Sequence, residues 1–214
     1  MHCANSARVV CLTGILLALT GCAGKIKYPS YYVLNLPAAP ARLGVQSKPT
    51  LGSVCVRDFS APSFLRAGPI VYRKSAEQID FYQYHRWAVE PRRSATNALL
   101  RKIQAGGLFA SVAQYDGRTS DYLITGTLDR LEEIDNGRDV RIAVGISAQL
   151  MDMKTTEVIW RDTSLEVARP EHRTVPGIVE GMSQATNISV DHLLSSMQKK
   201  LEAMSLSSMQ RDVE

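Results

Sequence analysis

Side chains that could carry enzymatic or metal chemistry are few and scattered. His85, His172 and His192 have no histidine partner four positions away, as a helical zinc site requires. Residues 181–185, GMSQA, match four of the five symbols of the G-x-S-x-G nucleophile motif. That motif needs a strand before the serine and a glycine after it, whereas this serine lies in a stretch with helical spacing. We therefore expect neither an enzyme nor a metal site.

Acidic residues around one expected hairpin are the other candidates for ion chemistry. They are Asp129, Glu132, Glu133, Asp135 and Asp139. Carboxylate oxygens suit calcium, but this spacing does not match an EF-hand loop. Acidic hairpin ends are common, so the prediction is that the chain holds no metal or soluble cofactor, with a calcium site as the alternative.

Cys22 stands where the only long apolar run of the chain ends. Arg8 is the only charged residue before Lys25, and residues 9–19 are mostly apolar. This run is too short for a membrane span, which needs about 20 apolar residues. A charged start and an apolar core of about 7–15 residues are typical of a secretory signal peptide. Such a signal ordinarily ends without a cysteine.

The residues Leu19, Thr20, Gly21 and Cys22 resemble the lipobox of bacterial lipoproteins. The resemblance implies cleavage before Cys22, a diacylglycerol on its thiol and an acyl group on the new amine. One acyl chain anchors only marginally, at about 0.8 kcal/mol per buried methylene, so three would anchor the protein firmly. The alternative is an ordinary signal with a stray cysteine.

The lipobox divides the chain into a signal peptide (residues 1–21), a lipidated tether (22–29), one domain (30–204) and a polar tail (205–214). The tether keeps the domain within about 25 Å of its membrane, because an extended chain gains at most ~3.3–3.6 Å per residue. Ala23, rather than aspartate, follows the cysteine. This resembles an outer-membrane sorting signal and predicts a protein anchored in the outer membrane that faces the periplasm.

The composition fits a globular domain outside the cytoplasm. The net charge is +4, with 45% hydrophobic and 21% charged residues, and no dense cluster of Lys and Arg occurs. We therefore expect no nucleic-acid partner. Cys3 and Cys11 leave with the signal peptide and Cys22 carries lipid, so Cys55 has no disulfide partner and should be a small buried hydrophobe.

Hydrophobic spacing predicts seven strands and two helices. The strands are expected at residues 31–36, 51–59, 70–73, 79–84, 122–134, 139–152 and 158–167, and the helices at 91–105 and about 174–203. Pro91 suits a first helical turn and Gly106-Gly107 a helix end. The fold class is therefore α+β: one domain with a mainly antiparallel sheet, a C-terminal three-stranded meander, and two amphipathic helices on one face.

The strand at residues 139–152 alternates most clearly. Its apolar positions are Val140, Ile142, Val144, Ile146, Ala148 and Leu150, and its other face carries Arg141, Ala143, Gly145, Ser147 and Gln149. Asn136-Gly137 before it predicts a type I′ hairpin turn. The small residues of the second face predict a flat surface for another chain, including a second copy in a homo-oligomer; a solvated polar face is the alternative.

Several segments, in their order and spacing, resemble the ABC-type transport auxiliary lipoprotein family. They are YYVLNL (31–36), IVYRKS (70–75), IDFYQYHRWAVEP (79–91), EVIWRDTSLEV (157–167) and GMSQATNISVDHLLSSM (181–197). HRWAVEP departs from the family by lacking an acidic residue directly after Trp-Ala.

The resemblance implies a non-catalytic accessory of a mammalian-cell-entry (MCE) or paraquat-inducible transport system. Such systems move lipids or other hydrophobic molecules between the inner and outer membranes, and an MCE-domain protein is the implied partner. Two alternatives remain. One is a structural or assembly lipoprotein that assists an outer-membrane protein or a cell-wall synthase. The other is a periplasmic hydrolase.

Overall fold

The computed structural model describes residues 27–37, 51–66 and 68–211, and side chains as far as residue 206. The expected signal peptide and Cys22 lie outside these residues. The described strands are β1 (Ser30–Tyr32), β2 (Leu51–Val56), β3 (Pro69–Arg73), β4 (Ile79–Trp87), β5 (Phe109–Gln114), β6 (Tyr122–Asp135), β7 (Val140–Asp152) and β8 (Val158–Ala168). The described helices are α1 (Ser63–Arg66), α2 (Pro91–Gly106) and α3 (Val175–Arg211). None of these helices is both long and apolar enough to cross a membrane.

All eight described strands join one sheet, in which β6 is the central strand. Along one edge β6 pairs with β7, which pairs with β8, and both pairings are antiparallel. Along its other edge β6 pairs in parallel with β2 near its start and with β3 near its end. The remaining pairs are β3–β4, antiparallel, and β1–β4 and β2–β5, both parallel. The α+β fold and the C-terminal meander are confirmed, and the antiparallel β6–β7 and β7–β8 ladders are the longest. The parallel pairs are additional.

The two long helices pack on one face of the sheet and bury its apolar side chains. Ile142, Ile146 and Leu150 of β7 are fully buried. A Cβ atom on Gly181 of α3 would lie 2.3 Å from Ile142 Cδ1, so helix and strand approach closely here. Helix α2 begins at Pro91 and ends before Gly107, which adopts a left-handed conformation. The predicted ends of α2 and the two-helix layer are confirmed, and α1 is an extra turn.

The N-terminal segment leaves the sheet earlier than its sequence pattern suggests. Strand β1 ends at Tyr32, although aromatic and β-branched residues predict a strand to residue 36. Leu34 and Leu36 are buried outside the sheet, and the backbone N–H of Asn35 donates to Ser183 Oγ of α3 at 3.1 Å. The segment therefore crosses from the sheet edge to the helix layer, and the prediction is wrong after Tyr32.

Other elements also differ from the sequence prediction. Strand β2 ends at Val56 rather than at residue 59, and β4 continues to Trp87 rather than ending at residue 84. Strand β5, FASVAQ, was not predicted; it has one buried residue, Phe109, and forms through its parallel ladder with β2. Helix α3 continues to Arg211, so the polar residues from 205 to 211 extend the helix. Serine, methionine and glutamine tolerate helical geometry, and nothing in this stretch breaks the helix.

The hairpin between β6 and β7 occurs where Asn136-Gly137 predicts it, but its turn type differs. A four-residue loop, residues 136–139, joins the strands, and the N–H of Asn136 donates to the carbonyl of Asp139 at 3.1 Å. Gly137 has a φ of 78°, whereas Asn136 has a negative φ. A type I′ turn needs positive φ at both residues, so that prediction is wrong. The Asp135 carboxylate accepts the Gly137 N–H at 2.8 Å and stabilises the longer loop.

Candidate functional site

The face of the sheet opposite α2 and α3 is the candidate interaction surface. We call it the open face and define it by the outward side chains of β6, β7 and β8. In β7 these are the five predicted residues Arg141, Ala143, Gly145, Ser147 and Gln149, which alternate with the buried apolar positions. In β8 their register partners include Arg161, Thr163, Leu165 and Val167. The alternation therefore assigns the two faces of β7 correctly.

The five predicted residues differ in accessibility. Arg141 is exposed, and Ser147 and Gln149 are half-buried, so a partner can reach them. Ala143 and Gly145 are buried, because neighbouring side chains of this chain cover them. A Cβ atom on Gly145 would lie 3.4 Å from Arg130 Cβ. The expectation of a flat, open row of small residues is therefore wrong at Ala143 and Gly145.

Ser147 and Gln149 line a shallow polar groove of about 300 Å³ on the open face. Its other lining residues are Ser60, Thr125, Gly126, Thr127, Ala148 and Arg161. The Arg161 guanidinium donates to Gln149 Oε1 at 3.0 Å, and the hydroxyls of Ser60 and Thr127 lie 2.8 Å apart. Short hydroxyl side chains leave the sheet backbone accessible here, and the arginine supplies one positive charge.

A buried carboxylate between two arginines adjoins the covered part of the open face. The Arg73 guanidinium donates through Nε and Nη2 to Glu132, at 3.1 and 3.0 Å, and Arg130 Nε donates to it at 2.9 Å. The Glu132 side chain is 1% exposed, whereas those of Arg73 and Arg130 are 19% and 38% exposed. This cluster carries a net charge of +1 and holds Arg130 over Gly145.

Two exposed apolar residues of β8, Leu165 and Val167, also belong to the open face. They are 55% and 50% exposed, and they pair with Gly145 and Ala143 across the β7–β8 ladder. Within the described part of the chain, β8 pairs only with β7 and is an edge strand. Leu165 and Val167 were not predicted to belong to an interaction surface, although every second residue of β8 faces the same way. The open face is therefore apolar at its edge and polar at its groove.

The helix-covered face contains a buried carboxyl group of a different kind. Glu133 is 3% exposed and accepts a 2.6 Å hydrogen bond from the Tyr82 hydroxyl. Burial raises the pKa of Glu133; the hydrogen bond from Tyr82 opposes this shift, and the nearby Asp135 adds to it. Burial and the Glu133 carboxyl group together raise the pKa of Tyr82.

The other candidates for chemistry have structural contacts. Ser183 of the GMSQA stretch lies inside α3, where its hydroxyl donates to the Val179 carbonyl at 2.9 Å and accepts the Asn35 N–H. Glu132 and Glu133 lie on opposite faces of the sheet, so the acidic residues do not converge. In the ranges the structure covers, no group of three or more His, Cys, Asp or Glu side chains could hold a metal ion. Cys55 is buried, as predicted.

The lipobox residues Leu19, Thr20, Gly21 and Cys22 lie outside the described residues. The geometry of the described part favours a surface for macromolecular contact: an edge strand, a shallow polar groove and a fixed pair of arginines.

Comparisons with known proteins agree with this fold. A family model described as ABC-type transport auxiliary lipoprotein component matches residues 32–193. The chain is similar to a solved structure from Xanthomonas campestris, with a TM-score of 0.70 and 17% identity over 83% of this chain and 99% of that chain. It is also similar to the structure of an uncharacterized protein, with a TM-score of 0.61 and 15% identity over 79% and 99% of the two chains. No curated protein matches the chain.

Proposed function

The chain belongs to the family of ABC-type transport auxiliary lipoprotein components, and from this premise we propose its place in the cell. It is a non-catalytic accessory subunit, anchored in the outer membrane and facing the periplasm. The system it serves is of the MCE type and moves lipids or other hydrophobic molecules between the inner and outer membranes. The family match over residues 32–193 is the observation that carries this proposal.

Lipidation of Cys22 is the first element of the proposal. The lipobox residues 19–22 support it, because a thiol directly after an apolar run and small residues suits acylation. Cells grown with a palmitate analogue should label the wild-type protein, and Cys22→Ser should abolish the label. A wild-type protein that stays unlabelled and soluble in the periplasm would refute the anchor.

Contact with an MCE-domain protein through the open face is the second element. The accessible groove at Ser147 and Gln149 supports it, together with the exposed Leu165 and Val167 on the edge strand. Apolar residues beside a polar rim are typical of protein–protein contact surfaces. The net positive charge of the Arg73, Glu132 and Arg130 cluster favours a partner surface with acidic residues.

Site-specific photo-crosslinking in cells tests the partner and the surface together. A photoreactive amino acid replaces Gln149 or Leu165 on the open face, and a control replaces the exposed Lys199 of α3. We expect an adduct with the MCE-domain protein from the two open-face positions and none from Lys199. Adducts of equal yield from all three positions would contradict a specific contact on the open face.

The identity of the adduct separates the competing functions. An adduct with an outer-membrane protein or a cell-wall synthase would favour the structural or assembly role over transport. An adduct between two copies of this chain would show a homo-oligomer that uses the open face. The non-catalytic role is supported by Ser183, whose hydroxyl is buried in α3 and occupied by backbone groups.

A further inference from the structure

The sheet edge formed by β1 and β4, with the segment that leads into β1, carries a cluster of aromatic and basic side chains. We call it the anchor-side surface, and its members are Lys27, Tyr28, Phe81, Tyr84, Arg86 and Tyr31. Tyr28, Tyr31 and Phe81 are 78%, 63% and 41% exposed. Arg86 is also exposed. Such a concentration of exposed aromatic rings at one edge needs a physical reason.

Strand pairing places the strand residues of this surface on the same side of the sheet. Tyr31 of β1 is the register partner of Arg86 of β4, and Arg86 is the partner of Pro69 of β3. Phe81 is the partner of Val71, two residues from Pro69, so Phe81 and Arg86 share a face. The Lys27 ammonium lies 4.6 Å from the centroid of the Tyr84 ring, which brings the N-terminal segment against β4 close to Arg86.

The two cations of the surface are available for a ligand. Within residues 27–37, 51–66 and 68–211, no ion pair engages Lys27 or Arg86. The nearest acidic residue in β4, Asp80, accepts hydrogen bonds from Tyr72 and Lys74 instead. The anchor-side surface therefore combines exposed rings with unpaired positive charge.

We propose that the anchor-side surface lies in the headgroup layer of the membrane that holds the lipid anchor. This inference rests on the lipidation of Cys22 in the function proposed above. Cys22 precedes Lys27 by five positions, so the acylated residue lies at most ~18 Å from it along an extended chain. The short connection brings this edge of the domain to the bilayer.

The composition of the surface matches the membrane–water interface. Tyrosine is enriched there because its ring is apolar and its hydroxyl is polar. Lysine and arginine near an anionic bilayer contribute about fivefold in affinity per charge. With β1 and β4 at the bilayer, the edge strand β8 lies at the opposite side of the sheet and points into the periplasm. This orientation leaves the groove and the β8 row accessible to a protein partner.

Depth-dependent quenching in vesicles tests the orientation. The lipidated protein with Tyr31→Cys carries an environment-sensitive fluorophore and is reconstituted into vesicles of phosphatidylethanolamine and phosphatidylglycerol that contain spin-labelled lipid. Thr163→Cys, labelled in the same way on β8, is the matched control. We expect severalfold stronger quenching and a blue-shifted emission at position 31. Equal quenching at both positions would overturn the proposal.

A second measurement separates the surface from the anchor. The mature chain, residues 22–214, carries Cys22→Ser, is exported behind an ordinary signal peptide, and is titrated with phosphatidylglycerol vesicles. The double variant Lys27→Gln, Arg86→Gln should bind about 25-fold more weakly, whereas Lys199→Gln, Lys200→Gln, at two exposed positions of α3 and with the same net charge, should match the parent. Absence of binding by the parent, or an equal loss in both double variants, would overturn the proposal. Failure of palmitate labelling would refute the anchor alone.

Discussion

Glu132 and Glu133 are neighbours in β6, and both are almost completely buried, yet they lie on opposite faces of the sheet in opposite electrostatic surroundings. On the open face, Glu132 lies between Arg73 and Arg130 and accepts hydrogen bonds from both guanidinium groups. On the helix-covered face, Glu133 has a hydrogen bond from Tyr82, and burial raises its pKa.

The difference shows how each face excludes water. The helix-covered face is closed by apolar side chains of α2 and α3, and it accommodates a carboxyl group by favouring its neutral form. None of the described helices covers the open face, and long charged side chains of the sheet cover their own small neighbours, as Arg130 covers Gly145. Substitutions on the helix-covered face should therefore change stability through packing. Substitutions on the open face should act through charge and side-chain mobility.

The largest expected effect is the loss of a large side chain from the helix-covered face. Trp160 is 6% exposed, and its indole N–H donates to Ser196 Oγ of α3 at 3.2 Å. Trp160→Ala should lower the free energy of unfolding by about 3–5 kcal/mol, measured by chemical denaturation. Arg161→Ala, one residue along on the open face, should change it by less than about 0.5 kcal/mol. Equal losses would show that the two faces of β8 do not differ in packing.

Charge removal on the open face should have the next largest effect. Glu132→Gln leaves two guanidinium groups close together without their carboxylate. Breaking a buried ion pair costs about 3–5 kcal/mol, and the partial exposure of Arg73 and Arg130 reduces the expected loss to about 2–3 kcal/mol. Glu133→Gln at neutral pH should cost much less, because the Tyr82 hydroxyl can donate to an amide oxygen. A larger loss for Glu133→Gln would reverse the comparison.

Alanine substitutions at two glycines test packing and should have smaller effects on stability. A Cβ atom on Gly126 would lie 2.7 Å from Phe59 Cε1 and 2.7 Å from the Ser147 carbonyl oxygen. Because a buried ring or a backbone group must shift, Gly126→Ala should destabilise the protein by about 1–3 kcal/mol. A Cβ atom on Gly145 would lie 3.4–3.5 Å from the nearest atoms of Arg130, which is ordinary van der Waals contact, so the cost of Gly145→Ala should stay below about 0.5 kcal/mol. Thermal unfolding of both variants measures which substitution destabilises the protein more. A larger loss for Gly145→Ala would contradict the prediction.

The sequence predicts most of the elements because they depend on local spacing. Strict alternation identifies β7 and assigns its two faces, and Pro91 and Gly107 fix both ends of α2. The parallel pairings escaped prediction because they join distant segments; Val54 pairs with Tyr122, for example. Strand β5 is stabilised by such a pairing and has no alternating pattern of its own.

The candidate surface was predicted only in part, because it too depends both on local spacing and on pairing between strands. Ser147 and Gln149 are accessible, as alternation along one strand predicts. The cover over Ala143 and Gly145 depends on a register shift in β6 between Leu128 and Arg130, which brings Arg130 opposite Gly145. A bulge inserts one extra residue and leaves little trace in a hydrophobic pattern. Leu165 and Val167 of β8 join the open face because of the register between β8 and β7. Alternation within one strand does not predict that register.

The smallest expected effect is the pH dependence that the raised pKa of Glu133 contributes to stability. Because burial raises the pKa of folded Glu133 above its ordinary value of 4.5, the folded state binds this proton more tightly than the unfolded state does. The stabilising contribution of the neutral form is fully present below pH 4.5 and is lost as the pH rises through the folded pKa. Removing the titrating group should therefore increase stability relative to wild type as the pH rises through this window.

Unfolding of Glu133→Gln and wild type is measured from pH 4 upward. The difference in unfolding free energy should stay constant at the acidic end, move in favour of Glu133→Gln as the pH rises, and level off above the folded pKa. Glu202→Gln, which makes the same substitution at an exposed carboxyl group of α3, is the matched control. A difference between Glu133→Gln and wild type that stays constant with pH would contradict the prediction. Glu133 would then be ionised in the folded protein as readily as in the unfolded chain.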